Sequence, residues 1–267
     1  TMRSFAPLFV ILLTAAIAPA QPLLTAYRVA TPPVIDGDLT DTCWREAAVG
    51  SPFVLATERA LPKAQTAVRA CWDAQRLHLG IQVEEPMLDP ALNMLDQVLA
   101  RQTGRDADIF SDECIEIFLQ PTAERYYHLA INSIGTLYDA QNSGEPWDGD
   151  CEVAAVRGDR AYTIELAITF ASMGAAPQGV WRVNFARERT AVRELSTWSG
   201  LTGAFHQPGA FGELRFAEGG PAVAATSVDV ADGQVAISAR FDAGAEGTVL
   251  RGIVTAGDTR IEDAAPA

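Results

Sequence analysis

The sequence predicts an all-β fold: a two-sheet β-sandwich of jelly-roll or immunoglobulin-like type, carrying one or two short helices. Three observations point there. Short runs alternate apolar and polar residues with period two from about Leu23 to Phe216. Gly, Pro and Asp punctuate those runs at turn spacing, and helical periodicity is sparse. With 267 residues, 48% of them hydrophobic, the chain has ample material for one large core.

Each element follows in chain order. Residues 1–20 read as a targeting segment: Arg3, the apolar run "FAPLFVILLTAAIA", then Ala18 and Ala20 as an A-x-A site before Gln21. Export with a mature start at Gln21 is therefore expected. The run is short for a membrane span, and none is expected in the mature chain. Next, "VIDGDLTD" gathers Asp36, Asp38 and Asp41 around Gly37. These are the hard oxygen ligands a structural calcium ion takes, or else a turn leading to a helix. That helix is "TDTCWREAA", with Thr40 as N-cap. "AVRACWD" and "RLHLGIQVEEP" form a hairpin with Leu77, Leu79, Ile81 and Val83 on one face. A second helix is expected in "ALNMLDQVLARQ", where Leu92, Leu95, Val98 and Leu99 keep helical spacing.

The acid-rich stretch "DIFSDECIEIFLQP" is a loop feeding a strand. Ile115, Ile117 and Leu119 face one way, and Cys114, Glu116 and Phe118 the other. In "YYHLAINSIGTLYDA" the same alternation sets His128 and Asn132 opposite Leu129 and Ile131. If the two strands are neighbours, a carboxylate and an amide share a polar face. "CEVAAVRGDRAYTIELAIT" is a hairpin turning at Gly158–Asp159, and "GVWRVNFARER" and "FGELRF" supply the last strands. Residues 21–218 thus form one domain. Residues 219–267 read as a small-residue linker and the opening strands of a truncated second β-domain, with a turn at Asp232–Gly233.

A net charge of -14 without a Lys/Arg cluster excludes nucleic acid as a partner. Cys43, Cys71, Cys114 and Cys151 are candidates for two disulfides in an exported chain, buried free thiols being the alternative. No C-x-x-C supports a zinc cluster. Catalysis finds little support. There is no G-x-S-x-G elbow or phosphate loop, and His78, His128 and His206 carry no motif. A glycosidase would pair an acid of the 108–116 cluster with one such as Glu165, a separation that sequence does not give. No enzymatic activity is expected.

Six stretches in register resemble the family 9 carbohydrate-binding modules and their DOMON-type relatives. They are "PPVIDGDLTDTCWREA", "DAQRLHLGIQVEEP", "SDECIEIFLQP", "NSIGTLYDA", "YTIELAITFASMG" and "FHQPGAFGELRF". The resemblance covers roughly residues 30–216. It implies an exported sandwich (secreted, periplasmic or at the cell surface) that binds a polysaccharide or oligosaccharide without cutting it, appended to further domains. It also implies two rings clamping a terminal sugar, at Phe110 and Phe205, where sugar-binding members commonly carry Trp, and a hydroxyl-accepting acid at Glu116. Beside these, Asn132 offers an amide on the Glu116 face, and Trp147 in "NSGEPWDGD" a further stacking ring. Two alternatives share the fold: a structural cell-surface domain without a sugar site, and a haem-binding relative using Met87, Met94 or Met173. No C-x-x-C-H motif or paired His/Met spacing supports the latter.

Overall fold

The computed structural model describes residues 21–88 and 100–219, together with the backbone of four strands between 223 and 266. The expected leader, the Asp232–Gly233 turn and nearly all of the "ALNMLDQVLARQ" helix lie outside the described residues.

Among the described residues the chain forms β1 (Leu23–Arg28), one α-helix α1 (Thr42–Glu46), β2 (Val49–Gly50), β3 (Val54–Leu55) and β4 (Thr66–Trp72). There follow β5 (Arg76–Glu84), β6 (Cys114–Thr122), β7 (Arg125–Asn132), β8 (Leu137–Gln141) and β9 (Glu145–Pro146). Next are β10 (Cys151–Arg157), β11 (Ala161–Thr169), β12 (Val180–Arg189), β13 (Glu194–Thr197) and β14 (Gly212–Ala217). Two hairpins come last: β15 (Val223–Ala231) with β16 (Gln234–Phe241), and β17 (Val249–Ala256) with β18 (Thr259–Pro266).

Strands one to fourteen belong to one curled mixed sheet whose main path runs β10-β11-β5-β4-β1-β14-β12-β6-β7-β8-β9. Strand β1 is the splice, pairing parallel with both β4 and β14. The curl brings Leu79 and Ile81 of β5 and Leu166 of β11 into one cluster with Ile117 of β6, Leu129 of β7 and Phe185 of β12. These are the odd or even positions that the alternation assigns to one face, so period two alone sorts the core from the surface. The sandwich is therefore two layers of a continuous sheet, joined at β1 rather than separate.

At the strand ends, four charged residues keep the core parity. Arg187 of β12 is 1% exposed. Its Nη2 donates to Glu85 Oε2 and to Glu113 Oε1, both at 2.8 Å. Arg189 completes the network, its Nε donating to Glu85 Oε2 at 2.7 Å. Burial pushes the Glu113 carboxyl up, with the Arg187 charge opposing. These groups cross-link the two layers at one end of the core.

The I-D-G turn has a different anchor. Glu165 of β11 is fully buried on the outer face of its layer and accepts from three donors. Asp36 N lies 2.9 Å from Oε2, Gly37 N 2.6 Å from Oε2, and Trp44 Nε1 2.6 Å from Oε1. Gly80, opposite Glu165 in register, leaves room for the Trp44 ring. The acid is thus a clamp holding α1 against the sheet, and burial raises its pKa. Helix α1 starts one residue later than expected, with Asp41 rather than Thr40 at the N-cap. Gly37 has φ of +88°, and an added Cβ would lie 2.8 Å from Val156 Cγ2. Gly37→Ala should therefore cost about 1–3 kcal/mol of stability. Denaturant unfolding that places the variant within ~0.5 kcal/mol of wild type, the ordinary range for a surface change, would show the turn is unstrained.

The expected disulfides are not formed: Cys43, Cys71, Cys114 and Cys151 are all free thiols. Cys43 of α1 and Cys71 of β4 do approach closely enough for their thiols to hydrogen-bond. Cys114 is fully buried and packs as a small apolar side chain.

Candidate functional site

The site is built on the outer face of β12, β6, β7 and β8. Register places Ala186 and Ala130 on either side of Glu116, and Ala140 beside His128. Side chains opposite one another in register point to the same face. Three alanines therefore frame the longer Glu116, His128 and Glu188, and of these six only Glu188 is more than slightly exposed. Phe118 and Tyr126, on the same face, join Phe205 and Phe211 in a second apolar cluster that walls one side. The 3₁₀ turn Ile109–Ser111 carries Phe110 onto the other side, and the loop before β14 brings in His206.

Every polar group of the floor is held. His128 Nε2 and Glu116 Oε2 lie 2.8 Å apart, both side chains nearly buried. The imidazole of His128 is stacked on Phe118 at 4.5 Å and 4°. His206 crosses it edge-on at 4.8 Å, and its Nδ1 lies 2.8 Å from the Tyr126 hydroxyl. Phe110, half-buried, stacks toward His128 at 5.8 Å and meets Tyr138 edge-on at 5.0 Å.

Electrostatics follow from burial. It pushes the adjoining carboxyls of Glu116 and Glu188 up. It lowers His128 to about 4. His206 is lowered too, first by burial and then by His128. The floor thus presents neutral imidazoles beside a pair of carboxyls, a mix of donors and acceptors suited to hydroxyls.

Of the residues singled out in the sequence, Phe110 and Glu116 come together here. Phe205 reaches the same region but from below. It is 6% exposed and packed in the second cluster, while its neighbour His206 takes the outward position. Asn132 is fully buried and serves its own turn. Its Oδ1 accepts from Ile134 N and Thr136 N, and its Nδ2 donates to Gln102 O and Asp112 Oδ2. Trp147 lies across the sheet, packed on the main core and tilted against Tyr127 at 4.5 Å, with Nε1 donating to Ser172 O. Both were expected in the site, and both instead hold structure.

The calcium expectation also finds no converging ligands. Asp36 Oδ1 accepts from Asp38 N, and Asp41 Oδ2 from Val34 N, so two of the three carboxylates tie up backbone donors. Among the described residues, ligand atoms converge in two other places: Glu116, His128 and His206, and Asp106, Asp139 and Asp148. The second is bridged by Arg105, whose Nη2 is 2.9 Å from Asp139 and 3.2 Å from Asp148. Of the haem candidates, Met173 is buried in the main core, Met87 packs against it, and Met94 lies outside the described residues.

Sequence reasoning missed His128, His206, Glu188 and Tyr138 as site members. Alternation did put His128 and Glu116 on the outer face. Nothing in the chain marked His206, because a loop rather than a strand delivers it.

The carbohydrate family 9 binding domain-like family matches residues 35–218. No curated protein matches the sequence. Among solved structures, a Bacteroides uniformis protein proposed to bind carbohydrate superposes with a TM-score of 0.59 at 17% identity, covering 74% of this chain and all of that one. A family 9 carbohydrate-binding module from Caldicellulosiruptor kristjanssonii, solved with cellotriose, gives 0.54 at 17% identity, covering 74% and 94%. Its complex with glucose gives 0.51 at 17% identity, covering 73% and 96%. At that identity the likeness shows the fold.

Proposed function

The chain belongs to the carbohydrate family 9 binding domain-like family, and from that premise we propose that it binds a sugar on the outer face of β12, β6, β7 and β8. The observation that carries this reading is Glu116 framed by alanines on the outer face, with the partly exposed Phe110 and Tyr138 rings beside it. A pyranose offers a C–H face to a ring and hydroxyls to a carboxylate and imidazoles. The structural neighbours solved with cellotriose and glucose support an oligosaccharide or polysaccharide end as the ligand.

Binding without cleavage is part of the proposal. Glu116 and Glu188 are diagonal neighbours on the paired strands β6 and β12 rather than acids facing each other across a cleft. Glu165 sits in the opposite layer with both oxygens committed. We read the protein as exported through residues 1–20, to act outside the cytoplasm as a binding module beside further domains. Among the described residues, no helix is long and apolar enough to cross a membrane.

With smaller rings than Trp, affinity should be weak, about 0.1–1 mM, or roughly 4–5.5 kcal/mol. Calorimetric titration with cellotriose, glucose and hits from a glycan array tests it. Phe110→Ala should weaken binding at least about fivefold at unchanged fold, and Glu116→Gln should cost about 1–3 kcal/mol of binding. A folded wild-type protein that binds nothing on the array would leave a structural domain of the same fold.

A further inference from the structure

We propose that this outer face also holds a binding site for a first-row transition-metal dication, formed by Glu116, His128 and His206. A carboxylate oxygen and one nitrogen from each imidazole lie within 4.8 Å of one another. Donors around a tetrahedral zinc-type centre stand about 3 to 3.5 Å apart, given metal–ligand bonds near 2.0–2.1 Å. The Glu116–His128 pair is already at 2.8 Å, so closing the site requires His206 to move inward by about an ångström or slightly more. His206 is exposed and carried by a loop, so it is the member free to make that adjustment.

The surroundings fit a metal centre in a second way. A ligating imidazole is oriented by a hydrogen bond at its other nitrogen, which fixes the tautomer. Tyr126 supplies one: its hydroxyl is 2.8 Å from His206 Nδ1, and Ser143 Oγ lies 3.2 Å beyond. With Nδ1–H donated to that oxygen, the Nε2 lone pair of His206 is the one left to bind. Phe118 fixes the plane of His128 by parallel stacking and meets His206 edge-on at 5.2 Å. The two side chains of the set nearest the sheet are nearly dry, and His206 at the rim gives an ion a way in.

The donor set selects the class of ion. Two imidazoles and one carboxylate favour Zn²⁺, Ni²⁺, Co²⁺ or Cu²⁺ over the oxygen-seeking Ca²⁺ and Mg²⁺. Three protein donors leave a coordination position open. This inference goes beyond sugar binding and stands without it. Metal binding with no sugar ligand would sustain this proposal and sink that reading, and the reverse result would do the opposite.

The test uses the metal-stripped full chain, titrated with ZnSO₄ at pH 7.5 by calorimetry and with CoSO₄ by visible absorbance. One equivalent should bind, with intense d–d bands for cobalt, and CaCl₂ should give no saturable heat. His206→Gln changes an exposed side chain and should leave the fold intact while weakening zinc at least tenfold and abolishing the cobalt spectrum. Glu116→Gln and His128→Gln should each weaken it as much. His78→Gln, on β5 and hydrogen-bonded to Asp73, should leave zinc binding unchanged. Absence of one-equivalent binding, or binding that survives His206→Gln, overturns the proposal.

Discussion

Replacing Arg187 by methionine should lower the unfolding free energy by about 3–5 kcal/mol, because it breaks a buried ion network from the middle. Its guanidinium is shared between Glu85 and Glu113. Glu85 keeps Arg189 when Arg187 is removed. Glu113 does not: it is fully buried, its Oε2 already lacks a partner, and its Oε1 would lose the only donors it has among the described side chains. A carboxylate left alone there must either stay charged at high cost or take up a proton, the direction in which burial already pushes it. The network itself need not be worth much, since a well-packed apolar replacement of a whole ion pair is often neutral. Arg187→Met combined with Glu113→Leu should therefore recover much of the loss, giving a coupling of at least ~1 kcal/mol in a double-mutant cycle. Guanidinium unfolding of the four proteins measures it. Additive losses, or an Arg187→Met loss under ~1 kcal/mol, would mean the site is wetter than its geometry indicates.

That network was legible in the sequence, although it was not read there. Arg187 follows Val183 and Phe185 at core parity, Glu113 precedes Ile115 and Ile117, and Glu85 follows Ile81 and Val83. A charged residue on the apolar parity of a strand needs a partner on the same parity elsewhere, and this chain offers two acids. What the sequence withheld was pairing: β12 meets β6 in register at Arg187 and Ile115, 72 positions apart along the chain. The same limit explains the four acids between 108 and 116. Asp108 is exposed at the rim, Asp112 braces Gln102 and Asn132, Glu113 enters the core, and only Glu116 reaches the outer face. Alternation places Glu113 and Glu116 on opposite faces but assigns no work to Asp112.

Strand periodicity and the turns at Gly37 and Gly158 carried most of the fold, because each constraint is local. The joining of two layers through the parallel strand β1 was not local and was not foreseen. Loop-delivered side chains were the least legible. The segment from Gly200 to Ala210 contains a single 3₁₀ turn and no alternation, so nothing in it tells an inward ring from an outward one.

Phe205 is where that ambiguity bears most on function, and Phe205→Ala should cost about 3 kcal/mol of stability. Its ring is 6% exposed and lies in the cluster of Phe118, Tyr126, Leu201 and Phe211. Truncation leaves a cavity that the surrounding rings, themselves packed on the sheet, fill only in part. The damage should spread to the site, because Phe118 stacks on His128 and touches His206 and Phe211. Phe110→Ala is the control. That half-buried ring makes its contacts with His128 and Tyr138 at the rim, and its loss should stay within ~1 kcal/mol. Thermal or denaturant unfolding of both variants, alongside sugar titration, separates the roles. The structure packs Phe205 into the second cluster and leaves Phe110 half-buried at the rim, where the proposed sugar would meet it. A Phe205→Ala protein as stable as wild type that no longer binds sugar would instead put that ring against the ligand, as the second jaw of a clamp.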